Sequence, residues 1–300
     1  MMPNLTTPVF APVLPFRLDF ASGIVSMGSC FADEISRKLE ESDFHVEANP
    51  FGALYNPASL AAALERLMED RPIGMEDLVK HEGYWHSWHH HGSFSQTTPG
   101  ATLTACNSRL HRAHEALRAA DLLMVTFGTA WVFEISSEFG ERRAELCGVV
   151  ANCHKLPPQM FTRRKMTVEE IVSLWRPLLE KLHAYYPKLH VLLTVSPIRH
   201  MADGAHGNQL SKSTLLLAVD ELVSQTVHYF PAYEVVLDEL RDYRYYDEKM
   251  THPTPLAVDV VWERFQHATM IPAVRQQAQF NQKQHKREQH IPLHPLAATQ

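Results

Sequence analysis

The sequence predicts an α/β domain built on a doubly wound, mainly parallel sheet. Short apolar runs alternate with amphipathic stretches along the chain, as in proteins whose strands are each followed by a helix. The runs 121–127 and 190–195 are almost continuously apolar, which is typical of strands buried on both faces. With 45% hydrophobic residues, the 300-residue chain also has enough apolar side chains for a large core.

The elements of the first part follow from spacing and turn residues. An apolar run predicts a strand at 23–27, and apolar residues at helical spacing predict a helix near 30–41. Alternating apolar and polar residues predict a short strand at 44–48, which the turn residues of 49–52 end. A helix near 57–69 begins with a proline, a residue favoured at the first helical position.

The middle part begins with an irregular stretch at 71–106, rich in His, Trp, Gly and Ser. A helix near 107–119 then precedes the apolar strand 121–127. We expect residues 131–153 to form a hairpin excursion and a helix to follow at about 167–185.

The last part contains four further predicted elements, namely strand 190–195, helix 211–229, strand 233–237 and helix 255–268. We expect residues 1–273 to form a single domain. Residues 274–300 are rich in Gln, His and Lys with few core-forming side chains, so a poorly ordered tail is expected there.

Composition excludes several classes of function. Against 34 acidic residues there are 28 Lys and Arg, giving a net charge of −6, and no block of like charge suggests a nucleic-acid partner. No apolar run is long enough to span a membrane. The first twenty residues contain one basic residue and no continuous apolar segment, so we expect no secretory signal and a cytoplasmic protein.

The cysteine pattern also indicates a cytoplasmic protein. They show no CxxC spacing, so we expect reduced thiols, although a disulfide between Cys147 and Cys153 stays open. The four positions are Cys30, Cys106, Cys147 and Cys153.

Candidate functional residues follow the strands, because ligands of doubly wound sheets lie beyond the carboxyl ends of the strands. Ser29 comes directly after the first strand and its Gly28, at the start of a helix. A hydroxyl there suits a nucleophile, since the helix N-terminus favours negative charge nearby. The alternative is that Ser29 only caps the helix. Cys30 is a second candidate nucleophile, but it is expected to point into the helix.

A serine nucleophile needs a base, and His252 is the candidate, because imidazole accepts a proton near neutral pH. A capping or turn histidine before Pro253 is the alternative. Gly52 lets a backbone N–H approach a substrate oxygen closely, so the N–H groups of Ser29 and Gly52 are expected to bind an oxyanion.

Sequence blocks over about residues 12–268 resemble the GSCFA family, which in turn resembles the SGNH (GDSL-like) hydrolases. The resemblance implies a flavodoxin-like three-layer α/β/α sandwich and chemistry on esters without a metal or organic cofactor. The main blocks are Gly28-Ser29-Cys30-Phe31-Ala32, Asn49-Pro50-Phe51-Gly52, Thr126-Phe127-Gly128-Thr129-Ala130, Ala151-Asn152-Cys153-His154-Lys155, Ser196-Pro197-Ile198-Arg199-His200 and His252-Pro253.

By this resemblance Ser29 is the nucleophile, Gly52 a backbone oxyanion donor and His252 the base. One departure is Ala130, which stands two residues after Gly128 where the SGNH pattern has an oxyanion asparagine. Asn56 and Asn152 are the candidate replacements.

A second departure is Lys249, which stands three residues before His252 where the SGNH pattern has an aspartate. Asp247, Glu248 or a backbone carbonyl would then orient the base, and a Ser-His dyad is also compatible with the pattern. Loss of this aspartate favours weak catalysis, since triad enzymes depend on an oriented base.

Other strand-end residues are candidates for substrate binding. Arg199 suits a carboxylate or phosphate, with a structural salt bridge as the alternative. His200 is beside it, and His206 lies in a glycine-rich loop that reads as a lid or a surface turn. Asn152 and His86 complete the substrate-binding candidates.

A histidine-rich stretch, interleaved with tryptophans, includes His81, His86, His89, His90 and His91. Zinc needs three or four converging ligands, and adjacent residues converge poorly, so a pocket wall is favoured over a metal site. We therefore expect a serine esterase or acyltransferase acting on a small-molecule or O-acyl carbohydrate ester. The alternatives are a ligand-binding protein with weak or no catalysis and a histidine-dependent metallohydrolase. Oligomeric state is not predicted.

Overall fold

The computed structural model describes residues 7–136 and 148–288. Its centre is a five-stranded parallel sheet in the order β2-β1-β5-β8-β9, which counted along the central sheet is the 2-1-3-4-5 order of flavodoxin. The strands are β1 (Gly23–Gly28), β2 (His45–Ala48), β3 (Leu78–His81), β4 (Tyr84–Ser87), β5 (Leu122–Phe127), β6 (Trp131–Ile135), β7 (Phe161–Lys165), β8 (His190–Val195) and β9 (Val227–Tyr229).

Helices cover both faces of the central sheet, and two apolar cores result. One core lies between helices α2, α3, α4 and α5 and one face of the sheet, which presents residues such as Val25 and Leu193. The second core joins α1, α7 and α8 to residues such as Ile24 and Leu192. The predicted three-layer sandwich is confirmed. The helices are α1 (Cys30–Glu40), α2 (Pro57–Met68), α3 (Pro99–Arg118), α4 (Val168–Tyr185), α5 (Gly204–Leu222), α6 (Ala232–Glu234), α7 (Pro255–Thr269) and α8 (Pro272–Glu288).

Two antiparallel ribbons stand beside the central sheet. The stretch 71–106, expected to be irregular, contains the β3–β4 hairpin and the start of α3, which begins at Pro99 rather than near residue 107. β6 pairs with β7. Among the described residues of the predicted hairpin 131–153, an isolated bridge joins Glu134 to Val149. Residues 137–147 of that prediction lie outside the described residues.

Two predictions after β8 are wrong. Helix α5 begins at Gly204, seven residues before the expected start. Gly204 and Gly207, which were expected to form a loop, lie in its first turn. The apolar run 233–237 is helical: α6 continues into a π-helical turn at Val235–Glu239. The edge strand is instead the three-residue β9.

The expected poorly ordered tail from residue 274 instead forms most of α8. Ala278 is buried in the second core, and the amides of Asn281 and Gln282 donate to the carbonyls of Ser42 and Lys38. A polar sequence therefore docks through two apolar residues, Val274 and Ala278, and through side-chain hydrogen bonds to backbone carbonyls. Residues 289–300 lie outside the described residues.

Among the described helices, none combines the length and apolarity needed to cross a membrane. The thiols of Cys30, Cys106 and Cys153 are free. Cys147, the other half of the disulfide left open above, lies outside the described residues.

Candidate active site

Ser29 lies at the point where the strand order reverses. β1 pairs with both β2 and β5, and crevices beyond such a switch point are where doubly wound sheets bind ligands. Gly28 makes the turn possible, because its φ is +152° and a Cβ would lie 2.6 Å from Thr126 Cβ. The sharp turn therefore presents Ser29 at the sheet edge.

The Ser29 hydroxyl caps helix α1. Its Oγ accepts a hydrogen bond from the N–H of Phe31 at 3.3 Å, and the side chain is 2% exposed. The backbone N–H of Ser29 has no acceptor in the part of the chain that the structure describes. Ser29 therefore caps the helix, and its own N–H is left without a backbone acceptor among the described residues.

The backbone of Tyr55 ties this turn to the end of β5. Its carbonyl accepts from the N–H groups of Gly128 and Thr129 at 2.8 and 2.9 Å. A Cβ on Gly128 would lie 3.0 Å from the Tyr55 oxygen and 3.4 Å from Ser29 Cβ. Ser29, Tyr55 and Gly128 therefore converge closely, and Asn56 follows at once.

A cavity of about 750 Å³ opens above this point, within the range of small-molecule sites. It brings together many of the sequence-predicted residues. Those that line it are Ser29, Cys30, Asn56, Asn152, Arg199, His200 and His252. The expectation that Cys30 points into the helix is therefore wrong.

His252 is held in a turn folded around Asp247. One carboxylate oxygen of Asp247 accepts from the N–H groups of Thr251 and His252 at 2.9 and 3.1 Å. The other lies 3.6 Å from His252 Nδ1, and these backbone bonds lower the pKa of Asp247. Thr251 Oγ1 is 3.1 Å from the same Nδ1, whereas Glu248 is exposed. The loop turns back on itself, which brings Asp247 close to His252 across an offset of five residues.

Ser29 and His252 share the cavity but are not hydrogen-bonded to each other within the described chain. The only partner of Ser29 Oγ there is the N–H of Phe31. His252 is exposed at the cavity wall.

In both candidate asparagines the side-chain oxygen already accepts a hydrogen bond, and the side-chain nitrogen donates none to a described residue. Asn56 Oδ1 caps α2 by accepting from the N–H of Ser59 at 2.8 Å, and Asn152 Oδ1 accepts from the N–H of His154 at 2.8 Å. Neither Nδ2 has a partner among the described residues. Ala130, at the usual asparagine position, is fully buried.

Three of the predicted oxyanion and substrate-binding residues do not line the cavity. The N–H of Gly52 donates to the carbonyl of Asn49 at 2.8 Å, and His91 packs where a Gly52 side chain would be. His86 lies in the β3–β4 hairpin, against Ser95 and His154. His206 is exposed in the first turn of α5, not in a loop.

The histidine-rich stretch does not converge. His89 bonds Asp77 at 3.0 Å, while His90 bonds Ser87 at 2.9 Å and packs on Phe51. Throughout residues 7–136 and 148–288, no three His, Cys, Asp or Glu side chains gather as metal ligands would. The stretch supports the fold beneath the hairpin.

Lys212, which the sequence analysis missed, lies buried beneath the strand ends that carry the site. It is fully buried, and its Nζ donates to the carbonyls of Gly128 and Ser196 at 2.6 and 2.7 Å, which ties the ends of β5 and β8. Burial lowers its pKa to about 7. The available signal was its place on the apolar stripe of α5, with Leu215 and Val219.

His200 is largely buried, and its Nε2 has no hydrogen-bond partner among the described residues. Burial lowers its pKa to about 4, with the nearby charge of Lys212 contributing. Arg163, also missed, lies 4.0 Å from the Trp131 ring centre and pairs with Asp203 at 2.5 Å. Its planar group and the tryptophan form one cavity wall.

Comparison with known proteins gives the family and a distant structural likeness. The model of the GSCFA family matches residues 23–265. No curated protein sequence matches the chain. One similar structure is a family two carbohydrate esterase from Clostridium thermocellum in complex with cellohexaose (14% identity, TM-score 0.25, 49% of this chain and 34% of that one).

Another is an acetyl xylan esterase from the rumen bacterium Butyrivibrio proteoclasticus, at 11% identity and a TM-score of 0.35. The match covers 85% of this chain and 63% of that one. The chain thus spans less than two thirds of the length of either structure.

Proposed function

The chain belongs to the GSCFA family, and on that premise we propose that it is a serine esterase or acyltransferase. Ser29 Oγ attacks the carbonyl carbon of an ester and passes its proton to His252 Nε2. The C–O bond then breaks, and His252 returns the proton to the departing alcohol. A water molecule, or a second alcohol in a transfer reaction, releases the acyl group by the reverse sequence.

The observation that carries this proposal is the position of Ser29. Its hydroxyl lies at the switch point of the sheet, in a cavity that also contains His252. The cap from the N–H of Phe31 is long, at 3.3 Å, so the hydroxyl gives up a weak bond when it turns toward His252.

Charge on the tetrahedral intermediate needs hydrogen-bond donors. We assign this role to the unpaired N–H of Ser29 and to the amide of Asn56, which replace the pair Ser29 and Gly52 expected from the sequence. Asn56 is favoured because the backbone of Tyr55 lies against Gly128 and Ser29. Its carbonyl caps α2, which leaves Nδ2 as a preorganised donor. Asn152 is the other candidate.

The base is supported by its loop. Asp247 lies close enough to His252 Nδ1 to favour the tautomer that exposes Nε2. Thr251 Oγ1 contacts the same nitrogen. The missing aspartate at Lys249 is thereby compensated from a different position in the turn.

The cavity suits a small acyl group on a polar alcohol. Trp131 and Phe133 form an apolar wall, and Arg163 and Arg199 supply hydrogen-bond donors. An O-acyl carbohydrate has both the ring faces and the hydroxyl acceptors that such a wall can contact.

Labelling with a fluorophosphonate probe and peptide mapping tests the proposal. We expect modification at Ser29 in the wild type, none in Ser29→Ala, and strong loss in His252→Ala. Cys30→Ala is the matched control, because Cys30 lines the same cavity and should leave labelling intact. A folded wild type that does not label at Ser29 would contradict the proposal.

The cap on Ser29 Oγ and the absence of a bond to His252 favour a second candidate, a protein that binds esters without turnover. It is distinguished by the same probe, which modifies only an activated serine.

A further inference from the structure

A second cavity, of about 340 Å³, lies beside the first. Arg199 lines both cavities, so its side chain forms the boundary between them. The second cavity is otherwise formed by α5 and by the segment after β9. Its polar and aromatic lining residues include Asn208, Gln209, Tyr233, Tyr243 and Tyr246.

Asn208 offers a hydrogen-bond donor to this second cavity. It is only 5% exposed, and its Oδ1 accepts from the N–H of His200 at 2.9 Å. That bond fixes the orientation of the amide, because a backbone N–H can only donate. Nδ2 has no partner in the described chain, although burial of an unpaired amide is costly. A buried side chain therefore presents an unused donor at the cavity.

Gln209 and Arg199 add further donors. Gln209 Oε1 accepts from the hydroxyl of Tyr233 at 3.0 Å, and its Nε2 has no partner in residues 7–136 and 148–288. Arg199 donates to the carbonyl of Met250 at 3.1 Å, and its guanidinium carbon is 5.6 Å from the Tyr246 ring centre. Burial raises the pKa values of Tyr233 and Tyr246, and the charge of Arg199 opposes this rise, so the guanidinium is near this cavity.

The remaining charges around the cavity are paired with one another. Arg241 pairs with Asp238, and Asp242 pairs with Arg244 at 2.8 Å. Arg199 has no carboxylate within ion-pair distance among the described residues. The cavity therefore contains one uncompensated cation and two amide donors, the set that a carboxylate accepts from.

We propose that the second cavity is a subsite for a carboxylate carried by the substrate, an inference that rests on the proposed esterase function. The scissile ester lies at Ser29, and the substrate passes Arg199 to place its carboxylate between Arg199, Asn208 and Gln209. Asn208 also accepts a hydrogen bond from the backbone N–H of His200. A carboxylate bound to Asn208 is therefore connected through that residue to His200 in the wall of the catalytic cavity.

Matched esters test the subsite. The 4-nitrophenyl monoesters of succinate, glutarate and adipate carry a distal carboxylate, and the butyrate, pentanoate and hexanoate esters carry a methyl group instead. We expect kcat/KM for at least one charged ester to exceed that of its neutral partner by roughly tenfold, the range of a hydrogen bond to a charged group.

Variants then locate the effect. Gln209→Glu adds a negative charge to the second cavity alone, and Asn208→Asp keeps the acceptor for the N–H of His200 while removing the donor. Both should reduce the preference for the charged ester by about fivefold or more through charge repulsion. Gln225→Glu adds the same charge at an exposed position outside both cavities and should preserve the preference.

The outcomes separate the two proposals. Equal rates for charged and neutral esters, or a preference that survives Gln209→Glu and Asn208→Asp, would overturn the subsite and leave the esterase proposal standing. Hydrolysis of neither ester would contradict the esterase proposal. In that case the rise in melting temperature on adding glutarate tests the subsite. A rise that is lost in Gln209→Glu but kept in Gln225→Glu supports the subsite. No rise in the wild type overturns it.

Discussion

Replacing Asp247 by asparagine measures how strongly the turn at the cavity orients His252. Asparagine keeps a carbonyl oxygen that can accept from the N–H groups of Thr251 and His252, which the carboxylate holds at 2.9 and 3.1 Å. It removes the negative charge 3.6 Å from His252 Nδ1. The substitution therefore isolates charge from loop geometry.

The exposure of the pair determines the magnitude. The side chains of His252 and Asp247 are 52% and 36% exposed, so a water-like dielectric applies. At 3.6 Å the Coulomb attraction then corresponds to a factor of about seven in an equilibrium constant. In the chymotrypsin-type triad, where the aspartate is buried, the same substitution lowers kcat about 10⁴-fold. We expect a loss of about five- to tenfold for Asp247→Asn.

The second-order rate of fluorophosphonate labelling at Ser29 is the assay, because it reports activation of the serine without a known substrate. Glu248→Gln is the matched control, since Glu248 is the exposed neighbour of Asp247 and the charge change is identical. A loss of a thousandfold or more would refute the exposed-pair reasoning. A rate equal to that of Glu248→Gln would show that Asp247 does not orient the base.

Three further results are expected. Asn56→Asp keeps the cap of α2 but loses the amide donor, so turnover should fall by about 100-fold, while Asn152→Asp stays within a few-fold; the reverse order would exchange their roles. In the wild type, the free energy of unfolding in urea should rise from pH 7 to pH 10, by up to about 1.4 kcal/mol per pH unit, and in Lys212→Met this rise should vanish. The reason is that burial lowers the pKa of Lys212 to about 7, whereas the unfolded lysine stays protonated up to about pH 10; equal pH profiles would contradict it. Trp175→Ala should lower the free energy of unfolding by about 3–5 kcal/mol, because the ring is fully buried and donates to a backbone carbonyl; the exposed Tyr185→Ala is the control, and a similar effect of both would be contrary to expectation.

Local pattern is enough to predict the central sheet, because its inner strands are buried on both faces. The run 190–195 coincides with β8, and the strand–turn–helix around Ser29 has the expected order. The run 233–237 is different, since a short apolar segment has no periodicity that separates a strand from a buried helix. In the helical turns that the run forms, Val235 and Val236 pack in the second core, and three residues suffice for β9.

The site depends more on non-local geometry. Asp247 lies close to His252 because backbone hydrogen bonds close the turn between them. A motif defined by a fixed residue spacing does not predict this contact. Gly52 shows the opposite case. It stands at the position that the resemblance indicates, but its N–H already donates to the carbonyl of Asn49. The sequence therefore pointed to Gly52, whereas the structure places Asn56, four residues later, at the cavity.

The double hydrogen bond to the carbonyl of Tyr55 bears on how this protein can change over time. The group that aligns the serine turn with the end of β5 is main chain, so no side-chain substitution removes it directly. The cavity walls at Trp131, Phe133 and Met201 are then free to vary without displacing Ser29. Selection in the laboratory for new ester substrates should accumulate replacements in those walls and leave residues 52–56 nearly untouched.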